Sequence, residues 1–167
     1  MNRFPSRVVL PLALAALAAA CTPANTRPGA HIPTTVKTGQ SWVVTRPVIA
    51  AQVLDTCSRS SPGREAGAVT GYWAPSRQQV EQLEARLPTL DSQVPKAIDF
   101  DRQYVGIEMG GRKLIYINAF PPDDHDVNPS RTAIRACDGG EQFWGAVFDP
   151  ASSTFSDVRF NGALEGP

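Results

Sequence analysis

The stretch Gln103-Tyr104-Val105-Gly106-Ile107-Glu108-Met109-Gly110-Gly111-Arg112-Lys113-Leu114-Ile115-Tyr116-Ile117-Asn118-Ala119-Phe120 decides the fold. Apolar side chains alternate at period two on both sides of a Gly-Gly pair, and two consecutive glycines accept the positive φ angles that a two-residue hairpin turn demands. With the glycines as the turn, Met109 faces Arg112, Glu108 faces Lys113, Ile107 faces Leu114 and Val105 faces Tyr116. One register thus predicts a cross-strand ion pair and two apolar pairs. A slip by one residue would place Glu108 among the apolar partners, so the pairing is specified locally. Ile115 and Ile117 share one face of the second strand, while Leu114 and Tyr116 share the other. Both faces therefore need cover.

Beyond this hairpin, turn signals at Asp138-Gly139-Gly140 and at residues 149–153 separate three further candidate strands, 132–137, 142–148 and 154–161. Before it, Ser76 with Gln79 three positions on forms a capping-box signature, and Val80, Leu83, Leu87 and Leu90 line one helical stripe that Pro88 interrupts. The run from Trp42 to a proline at position 47 predicts an edge strand, residues 50–57 a short helix, and residues 59–67 a loop. The fold class expected is α+β: a curved antiparallel sheet of about five strands packed on one main helix. One helix hardly covers both faces of a sheet rich in aromatics. The second face is closed by curvature and the 40–60 segment, or it is a binding surface.

The first residues carry a separate message. Arg3 and Arg7 precede an apolar tract from Val8 to Ala20 that contains Pro11 and is shorter than the roughly 20 residues a bilayer-crossing helix needs. The tract ends on Ala18-Ala19-Ala20 and is followed at once by Cys21. Two processing routes fit: cleavage after the alanines by an ordinary signal peptidase, or lipoprotein processing that makes Cys21 the acylated first residue. Leu17-Ala18-Ala19-Ala20-Cys21 resembles the bacterial lipobox, with the Leu one position early, and favours the second route. The resemblance implies a signal peptide over residues 1–20, acylation of Cys21, and, with Thr22 next, an outer-membrane address facing the periplasm. Residues 21–39, rich in Thr and Pro, are expected to be a tether, and 40–167 a single globular domain.

Loss of the leader leaves 14 basic residues against 16 acidic ones, a balance that gives nucleic acid nothing to attract. The remaining thiols, Cys57 and Cys137, form an even pair in an oxidising compartment. A disulfide between them is the economical assignment, worth about 4 kcal/mol on the chain-entropy argument.

Catalytic chemistry finds little support in the residues. The acidic loop Asp123-Asp124-His125-Asp126 is the best candidate for contact with a partner. Within it Asp124, Asp126 and Asn128 copy the first ligand spacings of a calcium loop, but Pro129 and Arg135 stand where Gly and a bidentate Glu are required. That leaves a solvated loop or a loose calcium site. Asp99 and Asp101 are a carboxylate pair by proximity alone, and their positions before a strand suit turn and cap roles. No G-x-S-x-G elbow is present, and Gly110-Gly111 and Gly139-Gly140 are sufficiently explained as turns.

The segments Gln103-Tyr104-Val105-Gly106-Ile107, Tyr116-Ile117-Asn118-Ala119-Phe120, Cys137-Asp138-Gly139-Gly140 and Phe143-Trp144-Gly145 resemble small proteobacterial envelope lipoproteins of uncharacterised activity. The expectation is a non-catalytic lipoprotein, without cofactor, held at the outer membrane by its lipid and binding a protein partner in the periplasm. An inhibitor or immunity protein against a cell-wall hydrolase is the specific form. A structural accessory of envelope or secretion-system assembly is the alternative, and a weak hydrolase using Asp or His groups of the 99–126 region is a third.

Overall fold

The Gly-Gly hairpin forms in the register its side chains require. Strands β4 (Asp101–Met109) and β5 (Arg112–Phe120) pair antiparallel from end to end, with Gly110 and Gly111 at φ values of +57° and +74°. Glu108 stands opposite Lys113, but the Lys113 ammonium turns over the Trp73 ring, 5.7 Å from its centroid, so a cation–π contact occupies the place expected for an ion pair. The structure is a computed structural model that describes residues 31–32, 39–122 and 126–162. The leader, Cys21, nearly all of the expected tether, and Asp123, Asp124 and His125 lie outside the described residues.

On one side of the hairpin the meander continues antiparallel through β6 (Trp144–Asp149) to β7 (Thr154–Phe160). The register shifts between the pairs Gly145–Arg159 and Val147–Ser156, which puts an extra residue in β7 and, with Asp157 at φ +52°, breaks the regularity of this outer strand. Such irregularity protects an edge from pairing with other chains.

On the other side, the edge of β4 is divided between two short strands. β2 (Ser41–Val44) runs parallel beside residues 102–105, and β3 (Val69–Trp73) runs antiparallel beside residues 106–109. β1 (His31–Ile32), which falls within the span read as tether, adds a short antiparallel pairing to β2. The α+β class therefore holds, but the sheet is mixed. β2 is flanked on both sides, so it is not the edge strand its proline suggested. Pro47 instead opens helix α1 (Pro47–Leu54), at a position where its fixed φ and missing N–H are harmless. This helix starts and ends three residues earlier than the expected span of 50–57.

Helix α2 (Arg77–Arg86) has the predicted cap. The Ser76 hydroxyl accepts from the Gln79 amide at 3.3 Å, and the Gln79 side chain accepts from the Ser76 amide at 2.9 Å. Pro88 converts its exit into a 3₁₀ turn, Leu87–Leu90, that keeps Leu87 and Leu90 in the stripe begun by Val80 and Leu83. All four are buried against one face of the sheet, with Tyr104, Ile115, Ile117, Trp144 and Phe148. The opposite face carries Val105, Ile107, Leu114, Tyr116 and Val147 and is closed by Ala50, Val53 and Leu54 of α1. Two helices thus cover two faces. The second face is completed by the 40–60 segment, which answers one of the two alternatives left open by the sequence.

Residues 132–137 do not form the expected strand. Amide side chains from the sheet take their backbone groups instead: Gln103 Nε2 donates to the carbonyls of Pro129 and Thr132 at 2.6 Å, and Gln103 Oε1 accepts from the Ile134 amide at 3.0 Å. Asn118 Nδ2 donates to Ile134 O at 2.9 Å, and Asn161 Nδ2 to Ala136 O at 2.6 Å. Satisfied by side chains, this segment crosses the second face as a strap.

Candidate functional site

The strap covers a polar layer that the hairpin register itself creates. Gln103 stands opposite Asn118, and Asn118 opposite Gly145, so two amides and a bare backbone position share one row across β4, β5 and β6. A Cβ at Gly145 would come within 2.5 Å of Tyr116 Oη and 2.9 Å of Arg59 Nε. The missing side chain is what lets the Arg59 guanidinium lie against the sheet.

Arg59 reaches this place from the loop after α1. Its carbonyl accepts from Thr56 Oγ1 at 2.5 Å, and Ser61 Oγ returns to Leu54 O at 2.5 Å, so the loop folds back on the helix end. Nε donates to Tyr116 Oη at 3.2 Å, one Nη to Asn118 Oδ1 at 2.5 Å, and the other to Asn161 Oδ1. Only 4% of Arg59 is exposed, and these three acceptors are neutral. Burial pushes the Tyr116 hydroxyl above its ordinary pKa, while the neighbouring Arg59 charge opposes that shift. The expected disulfide Cys57–Cys137 is present and ties this loop to the strap.

A different arrangement lies on the opposite face. Arg102 meets Glu84 of α2 at 3.2 Å and donates through Nε to Tyr104 Oη at 2.9 Å, and Tyr104 donates to Glu84 at 2.6 Å. Its other guanidinium nitrogens reach the carbonyls of Ile98, Phe100 and Gly39. Gly39 is required there because a Cβ would fall 1.8 Å from Phe100 O. Burial drives the Tyr104 pKa well above 10.0, against the pull of Arg102. The triad is charge-compensated and closed, and it acts as a clamp between α2 and β4.

The surface also offers a cleft of about 480 Å³ where the start of α2, the hairpin tip and the β6–β7 turn converge. Gln78, Gln79, Gln82, Arg112, Lys113 and Asp149 line it. Gln82 Nε2 donates to Pro150 O at 2.9 Å and Ser153 Oγ at 2.5 Å, fixing one wall, and Arg112 meets Asp149 at 3.3 Å. Amide donors and acceptors, two cations and one acid make this a recess for polar recognition. Its volume lies in the range of small-ligand sites.

The residues singled out from sequence are dispersed. Asp101 is buried and accepts the Gln40 amide at 2.7 Å, a capping role, while Asp99 ends a 3₁₀ turn, Ala97–Asp99. Asn128 Oδ1 accepts from Ser130 N at 2.9 Å and Ser130 Oγ at 2.8 Å, which closes an Asx turn, and Asp126 is exposed. Among the described residues no group of three or more His, Cys, Asp or Glu side chains gathers as a metal site. Arg59 and Asn161 were missed, and so was the pairing of Gln103 with Asn118. The last was discoverable, because the stated register continues from Val105–Tyr116 directly to Gln103–Asn118. In comparisons with known proteins, the chain matches no family model, no curated protein and no solved structure.

Proposed function

We propose that this chain is a lipid-anchored extracytoplasmic binding protein, without catalytic activity, that engages a protein partner in the periplasm in the manner of an inhibitor or immunity protein against a cell-wall hydrolase. The observation that carries this reading is the Cys57–Cys137 disulfide, which closes a sequence separation of 80 residues. A bridge of that kind belongs to an oxidising compartment, as the lipobox-like Cys21 requires. It also fixes the strap to the loop after α1, so the strap meets a partner with little ordering cost. Acylation at Cys21 would concentrate the domain at the membrane surface, where such a partner works.

Palmitate labelling of the wild type and of Cys21→Ala in cells tests the anchor. Label in the wild type, with loss of both label and membrane association in the variant, is the expected outcome, and an unlabelled wild type overturns it. Purified domain added to muramidase and amidase assays tests the binding. Inhibition that weakens on charge reversal at Asp126 supports the reading. Unchanged turnover across both enzyme classes, with no complex formed, refutes the inhibitor form.

A further inference from the structure

Among the described residues, Arg59 is a buried cation whose side-chain hydrogen-bond partners are all neutral, and a small cavity lies beside it. Of the five N–H groups of its guanidinium, three donate to Tyr116, Asn118 and Asn161, and two have no partner among the described residues. The cavity, of about 10 Å³, is lined by Arg59, Arg135, Thr56, Asn118, Ile134 and the bridged Cys57, together with Val53 and Ala136. That is room for one water-sized group. Arg59 and Arg135 both line this space for a single occupant, and none of the lining residues is a carboxylate.

The neighbouring acceptors are already engaged. Thr56 donates its hydroxyl to Arg59 O, and Arg64 takes the carbonyls of Thr56 and Cys57 at 2.6 and 2.5 Å. Asn118 spends its two N–H groups on Gln103 and Ile134. Arg135 meets Asp55 at 3.0 Å, but that aspartate is 70% exposed and its charge is screened by solvent. A buried cation with only neutral partners is costly unless an anion joins it.

We propose that this cavity holds one small monovalent anion, with chloride as the occupant, bound between Arg59 and Arg135 beneath the strap. A water molecule could accept two hydrogen bonds there, but it would leave the charge of Arg59 uncompensated. A polyatomic anion such as sulfate exceeds the space. The site shares no residue with the polar cleft, and its occupancy does not depend on whether the chain is an anchored inhibitor.

Thermal unfolding of the purified full chain in chloride, against gluconate at equal ionic strength, reads the site. Above the dissociation constant each tenfold rise in chloride should multiply the folding equilibrium constant roughly tenfold, because an ion bound only by the folded state shifts the equilibrium by mass action. Arg135→Gln changes a half-exposed residue and keeps the fold, and it should flatten that dependence. Arg112→Gln at the hairpin tip should leave it unchanged. Crystals grown in bromide should show a single anomalous peak within hydrogen-bonding distance of Arg59. Equal melting in both salts with no bromide peak in the cavity overturns the proposal, as does a halide dependence that Arg135→Gln leaves intact.

Discussion

Arg59 and Arg102 are buried on opposite faces of the same sheet, and the two faces accommodate them in different ways. Arg102 faces Glu84 and Tyr104 beneath a regular, capped helix, so its charge is balanced by a carboxylate inside the protein. Arg59 faces neutral oxygens of Tyr116, Asn118 and Asn161 beneath an irregular strap. In the first case the ion pair fixes how a helix docks. In the second, the same guanidinium geometry collects a phenol oxygen and two side-chain amide oxygens, all distant from Arg59 in the chain. The lesson is that one face is built to be permanent, and the other is assembled around a cation by a disulfide and side-chain amides.

Removing Glu84 should have the largest effect. Glu84→Ala strands the Arg102 charge in the core and should cost about 3–5 kcal/mol, measured by denaturant unfolding, whereas replacing both members with apolar residues should recover most of it. Next comes the bridge. Cys57→Ser with Cys137→Ser should cost about 2–4 kcal/mol, and hydrogen exchange should accelerate first at the strap, beginning with the Ile134 amide, while α2 stays protected. A loss spread evenly over both faces would break the distinction drawn between them.

Arg59→Met, measured in gluconate without halide, should cost less, about 1–3 kcal/mol, since it leaves Asn118 Oδ1 and Asn161 Oδ1 without their donors. If it destabilises more than Glu84→Ala does, the assignment of the permanent face is reversed. Ser76→Ala, removing the cap of α2, should cost about 1 kcal/mol, with no change in strap exchange.

Legibility in the sequence followed the same division. The hairpin register and the α2 cap were readable because each depends on neighbours in the chain: period-two alternation about Gly110-Gly111, and Ser76 with Gln79. The disulfide was readable by elimination once Cys21 was assigned elsewhere. The strap was not, because its residues 132–137 carry enough apolar groups to read as a strand, and the groups that prevent strand formation, Gln103, Asn118 and Asn161, lie far away in sequence. The parallel partnership of β2 was equally hidden, since nothing local distinguishes a strand that pairs in parallel. Of the polar layer, only Gln103 against Asn118 could be extrapolated. Arg59 sits in a Ser-rich stretch that resembles any surface loop, and its burial depends on a glycine 86 positions later at Gly145.

The tyrosines offer a test with no substitution and no effect at neutral pH. All three tyrosines of the chain, Tyr72, Tyr104 and Tyr116, have pKa values raised by burial. A group whose folded pKa exceeds its unfolded value contributes stability that is fully present below the unfolded pKa, here about 10, and is lost as pH rises through the folded value. Stability should therefore hold from neutral pH to about pH 10 and fall above it, with phenolate absorbance lagging behind that of free tyrosine. The two faces should not fail together. Tyr104, fully enclosed and beside Glu84, is raised well above 10.0, whereas Tyr116 has Arg59 opposing its shift without a nearby carboxylate. Ionisation should reach Tyr116 first, so the strap should loosen while α2 remains docked. Simultaneous exposure of both faces, or a tyrosine ionising at its free value with the fold intact, would show that the two arginines sit in equivalent surroundings.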